Sequence, residues 1–237
     1  MTSLEVTTQV LTFIGTAAEG ICVSSFLISG KVRRLPVVFC YISYLFVSDV
    51  ALILLGLRTD IWPALVITTQ FGYLVEGAAI WELASNLIRA SPGGATPLKW
   101  WIAGVCTITS AIGAISFTYL RSYSDFGSPE QRFFHTDQTV CIFRVLILLA
   151  ILVFLRLDHA GHSALPSHTT ILFAAYAVCA LLKQVVDELA PRLKLPKGTF
   201  QSGEIVCGCV WGLQMITLSW ELFRHASTTP GKWSARH

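Results

Sequence analysis

Seven long apolar runs, broken by short polar punctuation, dominate this chain. They fall at roughly 8–29, 34–57, 62–88, 99–120, 137–156, 168–190 and 203–224. Each is near the ~20 residues that an α-helix needs to cross a bilayer. The breaks carry turn chemistry: Gly30 with Arg33-Arg34, then Ser91-Pro92-Gly93-Gly94, then Pro166, Pro191 and Pro196. Charged residues make up 13% of the 237 residues and apolar ones 54%. A soluble domain carries roughly 25% charge. So little polar surface cannot cover a globule in water. The expected fold is therefore all-α: a polytopic bundle of seven transmembrane helices in one domain, 1–224, followed by a tail at 225–237. The expected location is the cell (inner) membrane, multi-pass, with the lipid bilayer as its solvent.

Orientation follows the Lys and Arg residues of the short loops. Lys31, Arg33, Arg34, Arg89, Lys99, Arg156, Arg224, Lys232 and Arg236 fall on one side. Arg58, Arg121, Arg132, Arg192, Lys194 and Lys197 fall on the other. The excess predicts the N-terminus outside and the C-terminus in the cytoplasm. No positive n-region precedes the first apolar run, so that run is expected to remain as a span. Trp62, Trp100 and Trp101 lie at predicted span ends, where aromatic belts form.

Ionisable residues inside the spans carry the functional signal, because lipid cannot solvate them. Glu19, Asp49, Glu76, Arg144 and Lys183 fall near mid-depth. Glu82, Asp187, Glu188, Glu204 and Glu221 fall nearer the span ends. Polar residues recur at helical spacing, so each set shares a face. The stripes are Gln9-Thr12-Thr16-Glu19, Tyr41-Tyr44-Ser48 with Asp49 beside it, and Thr69-Tyr73-Glu76. Three more are Asp137-Cys141-Arg144, Tyr176-Lys183-Asp187 and Glu204-Cys207-Trp211-Gln214-Glu221. The fourth span offers only Ser110, Gly113 and Ser116, which suit close helix packing.

Six stripes imply a shared polar interior. Arg144 and Lys183 are expected to pair with two of Glu19, Asp49 and Glu76. The predicted ligand-binding set is Glu19, Asp49, Tyr73, Glu76, Arg144, Tyr176, Lys183, Trp211 and Gln214. If the chain is catalytic, Glu19, Asp49 or Glu76 is the candidate acid. Interhelical hydrogen bonds that merely hold the bundle together are the competing account of the same residues.

Several chemistries lack support. The net charge of +3 includes no basic run that would track phosphates, which disfavours nucleic acid. No phosphate-cradling glycine loop, nucleophile elbow or zinc signature appears. His159, His162 and His168 near Asp158 are a weak grouping, so no metal and no cofactor is expected. The seven cysteines lie in apolar segments and read as small buried hydrophobes. No lysine lies in 203–224, which disfavours a retinal Schiff base in the last span.

Three features resemble a set of small bacterial seven-helix membrane proteins without assigned function. They are Arg33-Arg34-x-Pro36 leading into an aromatic second span, Glu76 followed by Ile80-Trp81-Glu82, and Arg144 in the fifth span. That resemblance implies a seven-helix fold and no particular activity. Trp81-Glu82 and Trp220-Glu221 are also locally similar to the Trp-Glu element of integral-membrane terpene cyclases. Those enzymes protonate an epoxide or alkene with buried acids and carry the pair in their second span; here Trp81-Glu82 falls late in the third. The expected function is an intramembrane cavity that binds or senses a small or amphiphilic ligand or lipid. A signal from it would pass to a partner chain. The alternatives are a membrane-embedded enzyme using acid catalysis and a transporter or proton pathway.

Overall fold

The computed structural model describes residues 3–56, 62–90, 140–142, 144–149, 151–152, 164–192 and 198–227, all helical apart from the turn at 30–35. The elements are α1 (Ser3–Ser29), a 3-10 turn (Lys31–Arg33), α2 (Pro36–Gly56), α3 (Trp62–Ala90), α4 (Val140–Leu149), α5 (Ala164–Arg192) and α6 (Gly198–Ser227). The expected fourth span at 99–120, with Ser110, Gly113 and Ser116, lies outside the described residues, as does Asp137.

Local chemistry explains the α1–α2 boundary. Gly30 stands at φ 65°, the left-handed region that costs glycine nothing. Its N–H donates to the Leu27 carbonyl at 3.2 Å, closing α1. The chain turns once through Lys31–Arg33, and Pro36 opens α2, where its missing N–H leaves no bond unmade. The free Val38 N–H in that first turn donates to Glu82 Oε2 of α3 at 2.8 Å. Glu82 therefore caps a neighbouring helix, and Trp81-Glu82 has a structural use here.

Among the described residues, four helices hold stretches long and apolar enough to cross a membrane: Gln9–Ser29, Pro36–Leu55, Leu165–Val186 and Ser202–Arg224. α3 matches them in length, at 29 residues, but Glu76, Glu82, Asn86 and Arg89 dilute its apolar surface. The radial pattern inverts that of a soluble globule. Phe13, Ile21, Ile28, Leu74, Leu182 and Leu213 point outward, while Glu19 and Glu76 are 2% and 5% exposed. Apolar side chains in that position need hydrocarbon around them, which marks a membrane protein.

The long helices close a ring. α1 packs on α2 and, most extensively, on α6; α2 packs on α3, α3 on α5, and α5 on α6. α4 joins through Arg144, which reaches Glu76 of α3, and through Val145 and Leu148 in the core. Relative directions are readable from the contacts. Thr68 with Tyr44 and Glu82 with Val38 make α3 antiparallel to α2. Tyr176 with Trp211 and His168 with Glu221 make α6 antiparallel to α5. Leu11 near Gly208 and Gly15 near Trp211 make α6 parallel to α1.

The two ends of the ring differ. At the end holding the α1–α2 turn, Phe26, Leu35, Val38, Ile42, Leu83, Leu218 and Leu222 pack without any exposed surface. The polar residues that line the cavity lie toward the opposite end.

Candidate functional site

A cavity of about 490 Å³ opens between α2, α3, α4, α5 and α6, and Glu19 of α1 reaches its wall. Ligand sites typically enclose ~300–1,000 Å³. Eight of the nine residues expected from sequence to bind ligand line this one space: Glu19, Asp49, Tyr73, Glu76, Arg144, Tyr176, Lys183 and Trp211. Gln214 is the exception. It is 3% exposed and lies one turn below Trp211, among the buried residues of α6. The helical stripes account for this convergence. Tyr41, Tyr44, Ser48 and Asp49 share the inward face of α2, and Thr69, Tyr73 and Glu76 that of α3.

Two polar contacts organise the wall. Arg144 Nη2 lies 2.8 Å from Glu76 Oε2, joining α4 to α3, and both side chains are nearly inaccessible. This is one of the expected acid–base pairs. Glu19, by contrast, is held by a neutral donor. Trp211 Nε1 donates to Glu19 Oε1 at 2.7 Å, joining α6 to α1. The Trp211 ring also stacks obliquely on Tyr176, with centroids 4.7 Å apart. Asp49 lies within electrostatic reach of Glu19, with Thr16 beside it. Lys183 enters the wall from α5, its stem running over Gly203; a Cβ there would stand 3.1 Å from Lys183 Cγ. Gly203 thus makes room for a charged side chain at a helix crossing.

Among the described residues, buried atoms without a hydrogen-bond partner include Glu19 Oε2, Arg144 Nε and both amide atoms of Gln214. Buried polar atoms are nearly always satisfied, and leaving one unmet costs about 1–3 kcal/mol. Glu19 and Arg144 both line the cavity. A second space of about 350 Å³ shares Asp49, Glu204, Gly208 and Trp211 with the first and adds Thr12 and Gly15 of α1. Gln9, at the head of the α1 stripe, is exposed and stands outside both spaces.

The polar stripes also contain residues with other duties. Glu221, at the foot of the α6 stripe, meets His168 Nδ1 at 3.6 Å at the packed end. His168 belongs to α5, which begins at Ala164, and not to the preceding loop. His159, His162 and Asp158 lie outside the described residues, as do the side chains of Asp187 and Glu188. Among the described residues no group of three His, Cys, Asp or Glu side chains converges as metal ligands would.

Sequence reasoning missed Thr68, Gln184 and Gly208 in the cavity wall. Thr68 enters partly through its backbone carbonyl, which accepts the Tyr44 hydroxyl. No residue pattern displays a backbone acceptor. Gln184 follows Lys183 directly, and its polarity inside a span was the available signal. Compared with protein-family models, curated proteins and solved structures, the chain matches none. Its site is therefore defined by its own geometry.

Proposed function

We propose that this chain is a seven-span protein of the cell membrane whose polar cavity binds or senses a small or amphiphilic ligand. The single observation that carries the reading is the cavity itself: eight inward-facing residues, drawn from all six described helices, around about 490 Å³. A network serving only cohesion would bring the same groups into contact and leave no space of ligand size.

Helix direction supports seven spans. α3 runs toward the packed end, since Glu82 meets Val38 there. α5 starts at that same end, since His168 meets Glu221. The chain between residues 90 and 164 must therefore cross an even number of times. By length and apolarity the sequence runs at 99–120 and 137–156 would suffice for two crossings. α6 then runs parallel to α1, and the two chain ends fall on opposite sides. With the Lys and Arg bias, the cavity faces outside and the packed end faces the cytoplasm. That apolar closure favours a binding pocket over a path reaching both faces.

Acid catalysis is the second reading, and one observation favours it: Glu19 is 2% exposed, sits among aromatics and keeps Oε2 unpartnered. Native mass spectrometry of the protein released from membranes without delipidation tests the first reading. A stoichiometric bound small molecule is expected, lost in the Glu76→Gln and Arg144→Met variants. If no adduct appears in any preparation, and both variants retain every property of the parent, the cavity has no ligand role.

A further inference from the structure

One close contact at the cavity wall involves two thiols. Cys179 Sγ of α5 lies 3.5 Å from Cys207 Sγ of α6. These helices run antiparallel, and contacts on both sides hold the thiols face to face. One turn toward the C-terminal end of α5, Lys183 crosses Gly203, where an added Cβ would stand 3.9 Å from Lys183 Cβ. A disulfide needs Cβ atoms about 3.5–4.5 Å apart, so the helices run close enough there to be bridged. In the other direction, Tyr176 stacks on Trp211. Cys179 and Cys207 take the matching positions between these contacts, four residues before Lys183 and four after Gly203.

Access distinguishes this pair from the other described cysteines. Cys207 keeps 9% of its surface and lines the cavity, and Cys179 is partly exposed. A small neutral oxidant that enters the cavity therefore meets Cys207, with the Cys179 sulfur already in contact. Cys40 and Cys209 are exposed, Cys22 is fully buried, and Cys141 lines the cavity from α4. Residue type alone reads all of these as small apolar side chains. The pairing is visible only once α5 and α6 are packed.

We propose that Cys179 and Cys207 form a redox modification site, which a hydroperoxide converts to a disulfide that fastens α5 to α6 at the cavity wall. Cys207 Sγ attacks one oxygen of the O–O bond. That bond breaks, the alcohol (water, from hydrogen peroxide) leaves with the thiol proton, and Cys207 becomes a sulfenic acid. Cys179 Sγ then attacks the Cys207 sulfur. The S–O bond breaks, and hydroxide leaves with the Cys179 proton as water. Two thiols lose two electrons in all, and the hydroperoxide gains them. A thiol reductant reverses the bond by exchange. The site needs no ligand in the cavity and is independent of the ligand-binding reading.

Full-length protein in lipid nanodiscs, reduced and then freed of reductant, is treated with hydrogen peroxide or with the more lipid-soluble cumene hydroperoxide. Denaturation, thiol alkylation and tryptic mass mapping follow. Two of the seven thiols are expected to escape alkylation, with peptide 157–183 joined to peptide 198–224 and released by dithiothreitol. The faster probe tells whether the oxidant arrives from water or from the membrane. Peptide 198–224 carries both Cys207 and Cys209, so Cys209→Ser should keep the link and Cys207→Ser abolish it. Cys179→Ser should leave a sulfenic acid at Cys207 that dimedone traps. Should these variants fail to fold, fragmentation of the joined peptides from the parent identifies the bridged sulfurs. The oxidised parent should also unfold at least about 2 °C above the reduced one. Retention of all seven thiols, a link through Cys141 or Cys209, or a Cys179–Cys207 link without thermal gain overturns the proposal.

Discussion

The indole Nε1 of Trp211 donates to Glu19 Oε1 at 2.7 Å, linking the last described helix to the first across a parallel contact. Glu19 is almost wholly buried, so this bond meets half of its acceptor capacity in a place water does not reach. The same indole stacks on Tyr176, so one residue couples α1, α5 and α6 at the cavity wall.

Trp211→Phe keeps the ring and removes the donor. Glu19 is then left with both oxygens unmet, and stability should fall by about 1–3 kcal/mol. Thermal unfolding of the protein in detergent measures this, with Trp220→Phe as the control. Trp220 is 68% exposed on the outer face of the same helix and should unfold like the parent.

Arg144→Met strands the Glu76 carboxylate in the bundle interior. Breaking a buried pair from one side costs about 3–5 kcal/mol. Glu76→Gln should cost less than that, because the amide oxygen still accepts from Arg144. Combining Arg144→Met with Glu76→Gln should recover more than half of the loss of the first variant. A double-mutant cycle on unfolding midpoints checks this, and simple additivity of the two effects would contradict a direct pair.

Glu82→Ala removes the acceptor for the Val38 N–H at the start of α2. The expected loss is about 1 kcal/mol, the usual worth of a helix N-cap. Glu82→Gln should lose much less, since its carbonyl can still accept. If Glu82 served catalysis as in a Trp-Glu element, Gln would be as damaging as Ala in any turnover assay.

Lys31 lies outside the spans, in the turn after Gly30, and is buried, with Nζ lacking a hydrogen-bond partner. Burial, aided by Arg34 and opposed by Glu221, lowers its pKa below the ordinary lysine value of 10.5. Over the pH interval between that lowered value and 10.5, the unfolded chain binds more protons than the native one. Stability should therefore rise with pH through this interval and lose that contribution as pH falls through it. Lys31→Met removes the cost of burying an unpaired ammonium. At neutral pH the variant should be as stable as the parent or more so, and the alkaline rise should flatten. Unfolding midpoints of both proteins from neutral pH to 10.5 test the sign.

Much of the bundle was legible in the residues alone, because hydrocarbon imposes a strict rule on both composition and periodicity. A span must be apolar over about 20 residues, and its charges must share a face. That rule located α1, α2, α5 and α6, and it aligned Tyr73 with Glu76 and Cys141 with Arg144 before any contact was known. It also yielded the loop charge bias from which orientation was argued.

Partner choice was decided by tertiary structure. The stripes state which way each helix faces, but not which stripe meets which, nor at what depth. Only the ring order places Arg144 on Glu76 and Trp211 on Glu19, leaving Gln214 beneath the cavity rather than in its wall. Glu82 and Lys31 make the same point from outside the cavity. Residue type placed Glu82 near a span end and Lys31 among the loop charges; packing made one a helix cap and buried the other. Hydrophobic periodicity reports a residue's exposure to lipid, which is a property of one helix. Pairing depends on distances between helices, which exist only after the chain has closed its ring.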